Sequence, residues 1–193
     1  MPAIREFVVI FVDLLFHLQR HQRLIVGQLD NIDIASLKKD CIKAFNNKNK
    51  LSQDITDSKN EDLGIPKSKA IDDIVNTIKD KFFIKYNERL ELDNFWAQVH
   101  EKNESTNTHD HVDCFDIKNS PDYSMVFYVQ TPKDSGRIVF QWPINKYNQY
   151  KRWWFQPNVG HYLIFPSTLD HFVTKNNSED HRIAISFNFK IKN

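Results

Sequence analysis

After about residue 90 the chain becomes a series of short segments rich in aromatic and β-branched residues, separated by Pro, Gly, Asn and Asp. The segments read NFWAQVHE, YSMVFYVQ, RIVFQWP, WWFQP, GHYLIFP and RIAISFNFK. Five of the seven prolines lie at or after position 121, in the joints between segments, where a strand can lack an N–H donor. This succession of short strands predicts an antiparallel β-sandwich or barrel of the jelly-roll kind.

Two amphipathic helices are predicted before these strands. Apolar side chains recur at helical spacing in residues 33–45, with Asp33 as the N-cap, and again after Ser68. The two stripes are Ile34, Leu37, Cys41, Ile42 and Phe45, and then Ile71, Ile74, Val75, Ile78 and Phe82. Residues 46–66 are polar and end in Gly and Pro, which predicts an exposed connection. The predicted fold class is therefore α+β, mainly β, with N-terminal supporting helices packed on one side of the strands.

Length and charge limit the possible organisation and partners. A chain of 193 residues suits a single domain, with a helical support region at 1–90 and a strand core at 91–193. Lys and Arg total 26 against 25 for Asp and Glu, so the net charge of +1 gives no overall field for nucleic acid or an anionic membrane.

The cysteines and the N-terminal segment bear on location. Cys41 and Cys114 form neither a disulfide framework nor a CxxC metal pair, which predicts free thiols in a reducing, cytoplasmic compartment. The apolar run at 6–17 contains an aspartate and is too short to span a bilayer, so we expect a buried strand or helix and no membrane association.

The sequence THDHVDC at 108–114 concentrates metal-binding side chains in the strand region. Within it, His111 and Asp113 form an H-x-D, and residues i and i+2 of a strand point to the same face, so both could reach one ion. A third ligand must come from another strand, and His171 in FPSTLDHFV is the candidate. Two histidines and one carboxylate form the facial triad that leaves three positions open on Fe(II).

The order of the motifs resembles a known family. The H-x-D, an aromatic strand MVFYV, a glycine-led strand GRIVF, the segment G-x4-FPS-x3-H and Arg182 follow one another between Phe95 and Phe189. This stretch resembles the 2-oxoglutarate and Fe(II)-dependent oxygenases of the prolyl-hydroxylase-like branch, especially the small members common in phages and marine microbes. The resemblance implies a double-stranded β-helix and an enzyme that hydroxylates a substrate while converting 2-oxoglutarate to succinate and CO2.

The resemblance also implies roles for individual residues. It puts Fe(II) on His111, Asp113 and His171, with O2 as co-reactant, and the C5 carboxylate of 2-oxoglutarate on Arg182 and Tyr128. Arginine suits that role because its planar fork binds a carboxylate through two parallel hydrogen bonds. If Tyr128 points inward, strand alternation turns its neighbour Phe127 outward.

Two further residues have alternative roles under this resemblance. Small relatives often show H-x-H, so His109 could replace Asp113 as a ligand; otherwise we expect it beside the metal or facing the substrate. Many relatives carry a serine two residues after the arginine, where this chain has Ala184, and Ser186 could face the same side and stand in for it.

The remaining candidates receive structural roles. His100, His161 and His181 lie in or beside strands with no partner pattern, and we expect them to pack or to face solvent. Residues 145–157 interleave Lys and Arg with aromatic side chains, which predicts alternately buried and exposed residues with cations over aromatic faces. The same segment lies between two core strands and is the candidate for a substrate-facing loop.

Other functional classes compete with the oxygenase. A cupin-like module would bind metal through His109, His111 and His171, and a non-catalytic jelly roll would need no ligand at all. A zinc hydrolase is suggested by the near match of HDHVDC to H-x-H-x-D-H, but that fold needs strands and helices in alternation, which 91–193 lacks. The presence of Arg182 and Tyr128 favours the oxygenase, because a purely structural barrel has no need of a buried guanidinium at the cosubstrate position. The expected partners are 2-oxoglutarate and a substrate that is a peptide, a small molecule or a nucleic acid.

Overall fold

A computed structural model describes residues 24–51, 62–143 and 149–192, with the side chains at 49–51 left out. The apolar run predicted to be buried at 6–17 lies outside these ranges. The described elements are β1 (Ile25–Gln28), α1 (Ile34–Leu51), α2 (Lys69–Tyr86), β2 (Arg89–His100), β3 (Thr106–His109), β4 (Tyr123–Gln130), β5 (Ile138–Pro143), β6 (Tyr150–Phe155), β7 (His161–Pro166), β8 (His171–Val173) and β9 (Arg182–Lys192).

The strands form two antiparallel sheets. The major sheet has the order β1-β7-β4-β9-β2 and the minor sheet the order β3-β8-β5-β6. One hydrophobic cluster joins side chains from both sheets, including Val126 and Phe165 of the major sheet and Ile138 and Phe140 of the minor sheet. The two sheets therefore pack face to face, and the predicted mainly β jelly roll with supporting helices is confirmed.

Local sequence sets the ends of both helices. The Ser68 hydroxyl accepts a hydrogen bond from the Ile71 N–H at 3.4 Å at the start of α2, and Asn87 ends the helix in the left-handed region at φ 54°. Asp33 caps α1 in the same way by accepting from the Ser36 N–H at 3.0 Å. No helix within the described ranges is long and apolar enough to cross a membrane.

The connection between the helices differs from the prediction of an exposed loop. Helix α1 continues to Leu51. Leu63 and Ile65 are 6% and 9% exposed and belong to the core under the helices. Leu63 also exchanges two backbone hydrogen bonds with Ala97 of β2, at 3.0 and 2.9 Å. Two apolar side chains suffice to anchor a polar connection, because burying each one stabilises the fold by about 1.5–3 kcal/mol.

Strand β4 in the middle of the major sheet is buried on both faces. Tyr123, Met125 and Phe127 of β4 contribute to the core beneath the helices, whereas Val126 and Tyr128 contribute to the core between the sheets. Double burial explains why β4 reads as a continuous apolar run instead of an alternating one. The predicted alternation, with Tyr128 inward and Phe127 outward, is observed.

The region before residue 90 also contributes to the sheets. Strand β1 pairs with β7 and forms one edge of the major sheet, and β2 already begins at Arg89. Gly136 and Gly160 both have φ of +82° and lead into β5 and β7, the turn role that their positions predict.

Candidate metal centre and carboxylate site

Three histidines converge beside the end of strand β3. His109, the last residue of β3, is the register partner of His171, the first residue of β8. His111 follows two residues later, and its backbone N–H donates to the Ser167 carbonyl at 2.8 Å. One ligand atom from each imidazole lies within 4.8 Å of the others, and the Nε2 atoms of His111 and His171 are 3.4 Å apart.

Hydrogen bonds on the far side of two rings set their tautomers. Nδ1 of His109 lies 2.8 Å from the Asn107 carbonyl, and Nδ1 of His171 lies 2.9 Å from the Leu169 carbonyl. A carbonyl oxygen only accepts, so each Nδ1 must carry the proton and each Nε2 presents a lone pair. Fixing the outer nitrogen in this way is how proteins orient metal-binding histidines.

The third ring is held by a polar network inside the sandwich. The side chain of Asn188 hydrogen-bonds the His111 imidazole, and the Asn188 Oδ1 accepts from the Ser124 hydroxyl at 2.9 Å. Ser124 also shares a 2.8 Å hydrogen bond with the Ser167 hydroxyl. The network ties His111 to β4, β9 and the turn after β7.

Burial keeps two of the imidazoles neutral. Loss of solvation, followed by the like charge of His109, lowers the pKa of His111 to about 4 and that of His171 to about 3. Both rings are therefore neutral at neutral pH, so each has one nitrogen without a proton, as a metal ligand must have. Three imidazole side chains form a donor set suited to Fe(II), Zn(II) and other borderline divalent ions.

Asp113 does not join this cluster. Strand β3 ends at His109, so the premise that His111 and Asp113 share one face of a strand is wrong. The exposed Asp113 carboxylate instead accepts from the Phe115 N–H at 2.9 Å, and Asp110 accepts from the Val112 N–H at 3.1 Å. Both aspartates cap local turns, which is a common alternative use of this side chain.

Arg182 and Tyr128 lie together in the interior. Arg182 is 1% exposed, Tyr128 is fully buried, and the guanidinium carbon is 5.3 Å from the Tyr128 ring centre. Burial raises the pKa of Tyr128 to about 12 against the opposing charge of Arg182, and burial lowers the pKa of Arg182. The Arg182 guanidinium interacts with the Tyr128 hydroxyl, and neither that hydroxyl nor the Arg182 Nε has a further hydrogen-bond partner within the described residues. No described carboxylate forms an ion pair with this guanidinium.

Strand β9 connects the arginine to the histidines. Its core-facing residues between the sheets are, by alternation, Arg182, Ala184, Ser186 and Asn188. The Asn188 side chain hydrogen-bonds His111, so the guanidinium and the histidine cluster belong to the same inner surface. The small side chains of Ala184 and Ser186 occupy the positions between them. Ser186 thus lies on the same face of β9 as Arg182. This is the orientation it needs to stand in for the serine that many relatives carry at the position of Ala184.

The structure also brings His100 into the site, where a packing or surface role was expected. Nη1 of Arg182 lies 3.2 Å from Nδ1 of His100, and the two residues are register partners across β2 and β9. No local motif marks His100, because its role depends on strand register. His161 and His181 instead contact Phe155 and Phe45, in keeping with packing roles.

The described part of the segment 145–157 is strand β6. Trp153 stacks on Phe140 of the core at 5.8 Å, whereas Trp154 is 54% exposed and carries the Arg137 guanidinium over its ring at 4.2 Å. The predicted alternation, with a cation over an aromatic face, is present here.

Comparisons with known proteins agree with this architecture. Residues 94–188 match the family model described as "Putative 2OG-Fe(II) oxygenase". The fold is similar to the non-haem α-ketoglutarate-dependent carbocyclase SnoK from nogalamycin biosynthesis, at 12% identity over 90% of this chain and 81% of that one, with a TM-score of 0.64. No curated protein matches the sequence.

Two prolyl hydroxylases are also similar in structure. The viral collagen prolyl hydroxylase of Paramecium bursaria Chlorella virus-1, in complex with 2-oxoglutarate, shares 14% identity over 90% of this chain and 97% of that one, with a TM-score of 0.61. A Pseudomonas putida prolyl-4-hydroxylase shares 15% identity over 89% of both chains, with a TM-score of 0.52.

The shared architecture is that of jelly-roll oxygenases. Through residues 94–188 the chain belongs to the 2-oxoglutarate and Fe(II)-dependent oxygenase superfamily and is an enzyme of that oxygenase class.

Proposed function

We propose that the protein is a hydroxylase that binds Fe(II) at the histidine cluster and 2-oxoglutarate between that cluster and Arg182. The observation that carries the proposal is the buried guanidinium. A charged group that has lost its water and has no described carboxylate partner is costly unless an anion binds beside it. The C5 carboxylate of 2-oxoglutarate is such an anion.

The proposed metal ligands are the Nε2 atoms of His109, His111 and His171. Their mutual distances and the protonated Nδ1 atoms of His109 and His171 support this set over the one containing Asp113. Binding through Asp113 would require the turn from 110 to 116 to give up its carboxylate-to-backbone hydrogen bonds.

The protein's own groups would orient the reactants. Arg182 and Tyr128 would hold the distal carboxylate through their unpaired donors, and the small Ala184 and Ser186 would leave room for the rest of the cosubstrate. Bound Fe(II), with 2-oxoglutarate and O2, supplies the oxidising power for hydroxylation, and the cosubstrate leaves as succinate and CO2. Phe165 and Phe140, which contact His171, would keep bulk water from that side of the metal.

The substrate is proposed to approach over the loop that follows His111. Phe115 and Ile117 in this loop are 97% and 70% exposed, although large apolar side chains usually pack inside. The segment 145–157 is proposed as a second element that faces the substrate. The proposed substrate is a peptide, a small molecule or a nucleic acid. The proposed location is the cytoplasm, which suits the exposed free thiol of Cys114.

The metal ligands are tested with paired variants. We expect His109→Ala to weaken Co(II) or Fe(II) binding by more than about 100-fold, beyond the effect of losing an outer partner, and Asp113→Ala to leave it nearly unchanged. Competition with a coloured chelator measures both. The reverse ranking would identify Asp113 as the ligand, and unaltered affinity in both variants and in His171→Ala would exclude a metal at this cluster.

The cosubstrate is tested under anaerobic conditions. Fe(II) followed by 2-oxoglutarate should produce the weak visible charge-transfer band of the chelated 2-oxo acid, and Arg182→Met should need a much higher 2-oxoglutarate concentration to reach it. Absence of the band, together with tight zinc binding, would overturn the hydroxylase and favour a metal-binding module on the same fold, since three histidines also suit Zn(II).

A further inference from the structure

His100 is a buried imidazole that lies outside the histidine cluster. It is the last residue of β2 and is paired across the sheet with Arg182, the first residue of β9. Nη1 of Arg182 donates to Nδ1 of His100 over 3.2 Å, and the two residues are 1% and 3% exposed. A buried guanidinium usually contacts a carboxylate, so a neutral partner here leaves the positive charge available.

The hydrogen bonds of His100 define its tautomer. A guanidinium only donates, so Nδ1 of His100 must accept and be unprotonated. The proton is then on Nε2, which lies 2.9 Å from the Thr106 hydroxyl on β3. The His100 carbonyl also accepts from the Asn176 side-chain amide at 3.0 Å. Both ring nitrogens and the backbone carbonyl of His100 are thus hydrogen-bonded, which fixes the orientation of the ring.

Burial and the charge of Arg182 both lower the pKa of His100. Loss of solvation, followed by the repulsion of Arg182, lowers the pKa of His100 to about 3. The imidazole is therefore an acceptor throughout the neutral range. A protonated ring in this position would repel the guanidinium and withdraw the acceptor that holds it.

The contact with His100 uses Nη1 of the guanidinium. The other edge is formed by Nε and Nη2, and Nε has no further hydrogen-bond partner among the described residues. Such an edge binds both oxygens of a carboxylate through parallel hydrogen bonds. We propose that His100 is a positioning residue that holds Nη1 of Arg182 and so presents the Nε–Nη2 edge to the distal carboxylate of 2-oxoglutarate.

This inference rests on the proposed function and adds a residue that touches neither metal nor cosubstrate. Thr106 lies three positions before His109 on β3, so the same hydrogen-bond chain joins the arginine to the strand that carries a proposed metal ligand. The geometry therefore predicts a selective defect. Loss of His100 should weaken recognition of the distal carboxylate and leave chelation of the 2-oxo acid group intact.

The test compares two 2-oxo acids on the anaerobic Fe(II) protein. 2-Oxoglutarate carries the distal carboxylate, whereas 2-oxobutanoate lacks it, and the charge-transfer band reports both. We expect His100→Phe to weaken 2-oxoglutarate binding by about 10- to 100-fold, the usual effect of removing a hydrogen bond to a charged group. Binding of 2-oxobutanoate should change by less than about twofold on the same reasoning.

Two further variants make the result decisive. His100→Asn keeps an acceptor at the position of Nδ1 and should restore most of the 2-oxoglutarate affinity even if His100→Phe folds poorly. His161→Phe makes the same chemical change at a half-buried histidine on β7 and should behave as wild type.

The outcomes separate the two proposals. If both acids weaken equally in the His100 variants, or if neither weakens, the positioning role is wrong while the proposed function stands. A wild-type protein that binds the two acids equally well, or that gives no band, overturns both proposals because no site for the distal carboxylate then exists.

Discussion

Replacing Arg182 with methionine should stabilise the metal-free protein while removing cosubstrate binding. The guanidinium is 1% exposed, its partners His100 and Tyr128 are neutral side chains, and its Nε has no further hydrogen-bond partner in the described residues. An unsatisfied buried donor costs about 1–3 kcal/mol. Exchanging buried charged groups for apolar ones of similar volume is often neutral or stabilising by about 1–4 kcal/mol.

The stability lost through this substitution is smaller than the stability gained. Methionine would leave the His100 Nδ1 without its donor, which removes a hydrogen bond worth about 1 kcal/mol. We therefore expect the free energy of unfolding of the Arg182→Met variant to rise by about 1–2 kcal/mol. For a chain of this length the melting temperature should increase by about 2–8 °C.

The assay is thermal or urea unfolding of metal-free protein, with Lys151→Met at an exposed position of β6 as the control. The control should change the free energy of unfolding by less than about 0.5 kcal/mol. With Fe(II) present and 2-oxoglutarate at about 100 times its dissociation constant, the free energy of unfolding of wild type should rise by about 2.7 kcal/mol. Wild type should then be more stable than the Arg182→Met variant. An Arg182→Met protein less stable than metal-free wild type by more than about 1 kcal/mol would refute the reasoning, because the fold would then already satisfy the guanidinium.

Three other substitutions have defined outcomes. In metal-free protein His100 is neutral when folded, with a pKa of about 3, and takes up a proton when unfolded below its ordinary pKa of 6.5. Stability should thus fall as the pH is lowered through that window, and His100→Asn should reduce the slope by about 1.4 kcal/mol per pH unit in urea titrations; an unaltered slope would contradict the assignment. Asn188→Ala removes the partner of a proposed ligand and should weaken Co(II) binding by about 10- to 100-fold in chelator competition, whereas equal affinity would exclude that support. Gly136→Ala would place a Cβ 2.3 Å from the Thr174 carbonyl oxygen at φ +82° and should cost about 2 kcal/mol or more, whereas Gly64→Ala, with nothing within 4 Å, should unfold like wild type.

Much of the fold could be predicted because local periodicity carries it. The stripes of α1 and α2 repeat every 3.6 residues, and their apolar side chains pack under the helices in the structure. The opposite orientations of Phe127 and Tyr128 follow from the two-residue repeat of a strand. Strand β3, by contrast, reads TNTH, a polar sequence with no apolar alternation. It forms because β8 pairs with it, and no pattern within the segment announces that pairing.

The candidate site was predictable only in part. His171, Arg182 and Tyr128 belong to segments whose order marks the family, and the structure places Arg182 beside Tyr128. The sequence does not distinguish His109 from Asp113 as the third member of the cluster, because both side chains can bind a metal and both lie two positions from His111. The structure places His109 there.

The sequence by itself determined which chemical groups are available and which way each strand or helix turns its side chains, since both depend on identity and short-range periodicity. Tertiary structure alone decided where β3 stops, and hence that His109 and not Asp113 meets His171. It also decided the register that sets His100 against Arg182, which are 82 positions apart. Register and strand ends arise from long-range hydrogen bonding and packing, where a shift of one residue turns every side chain to the opposite face.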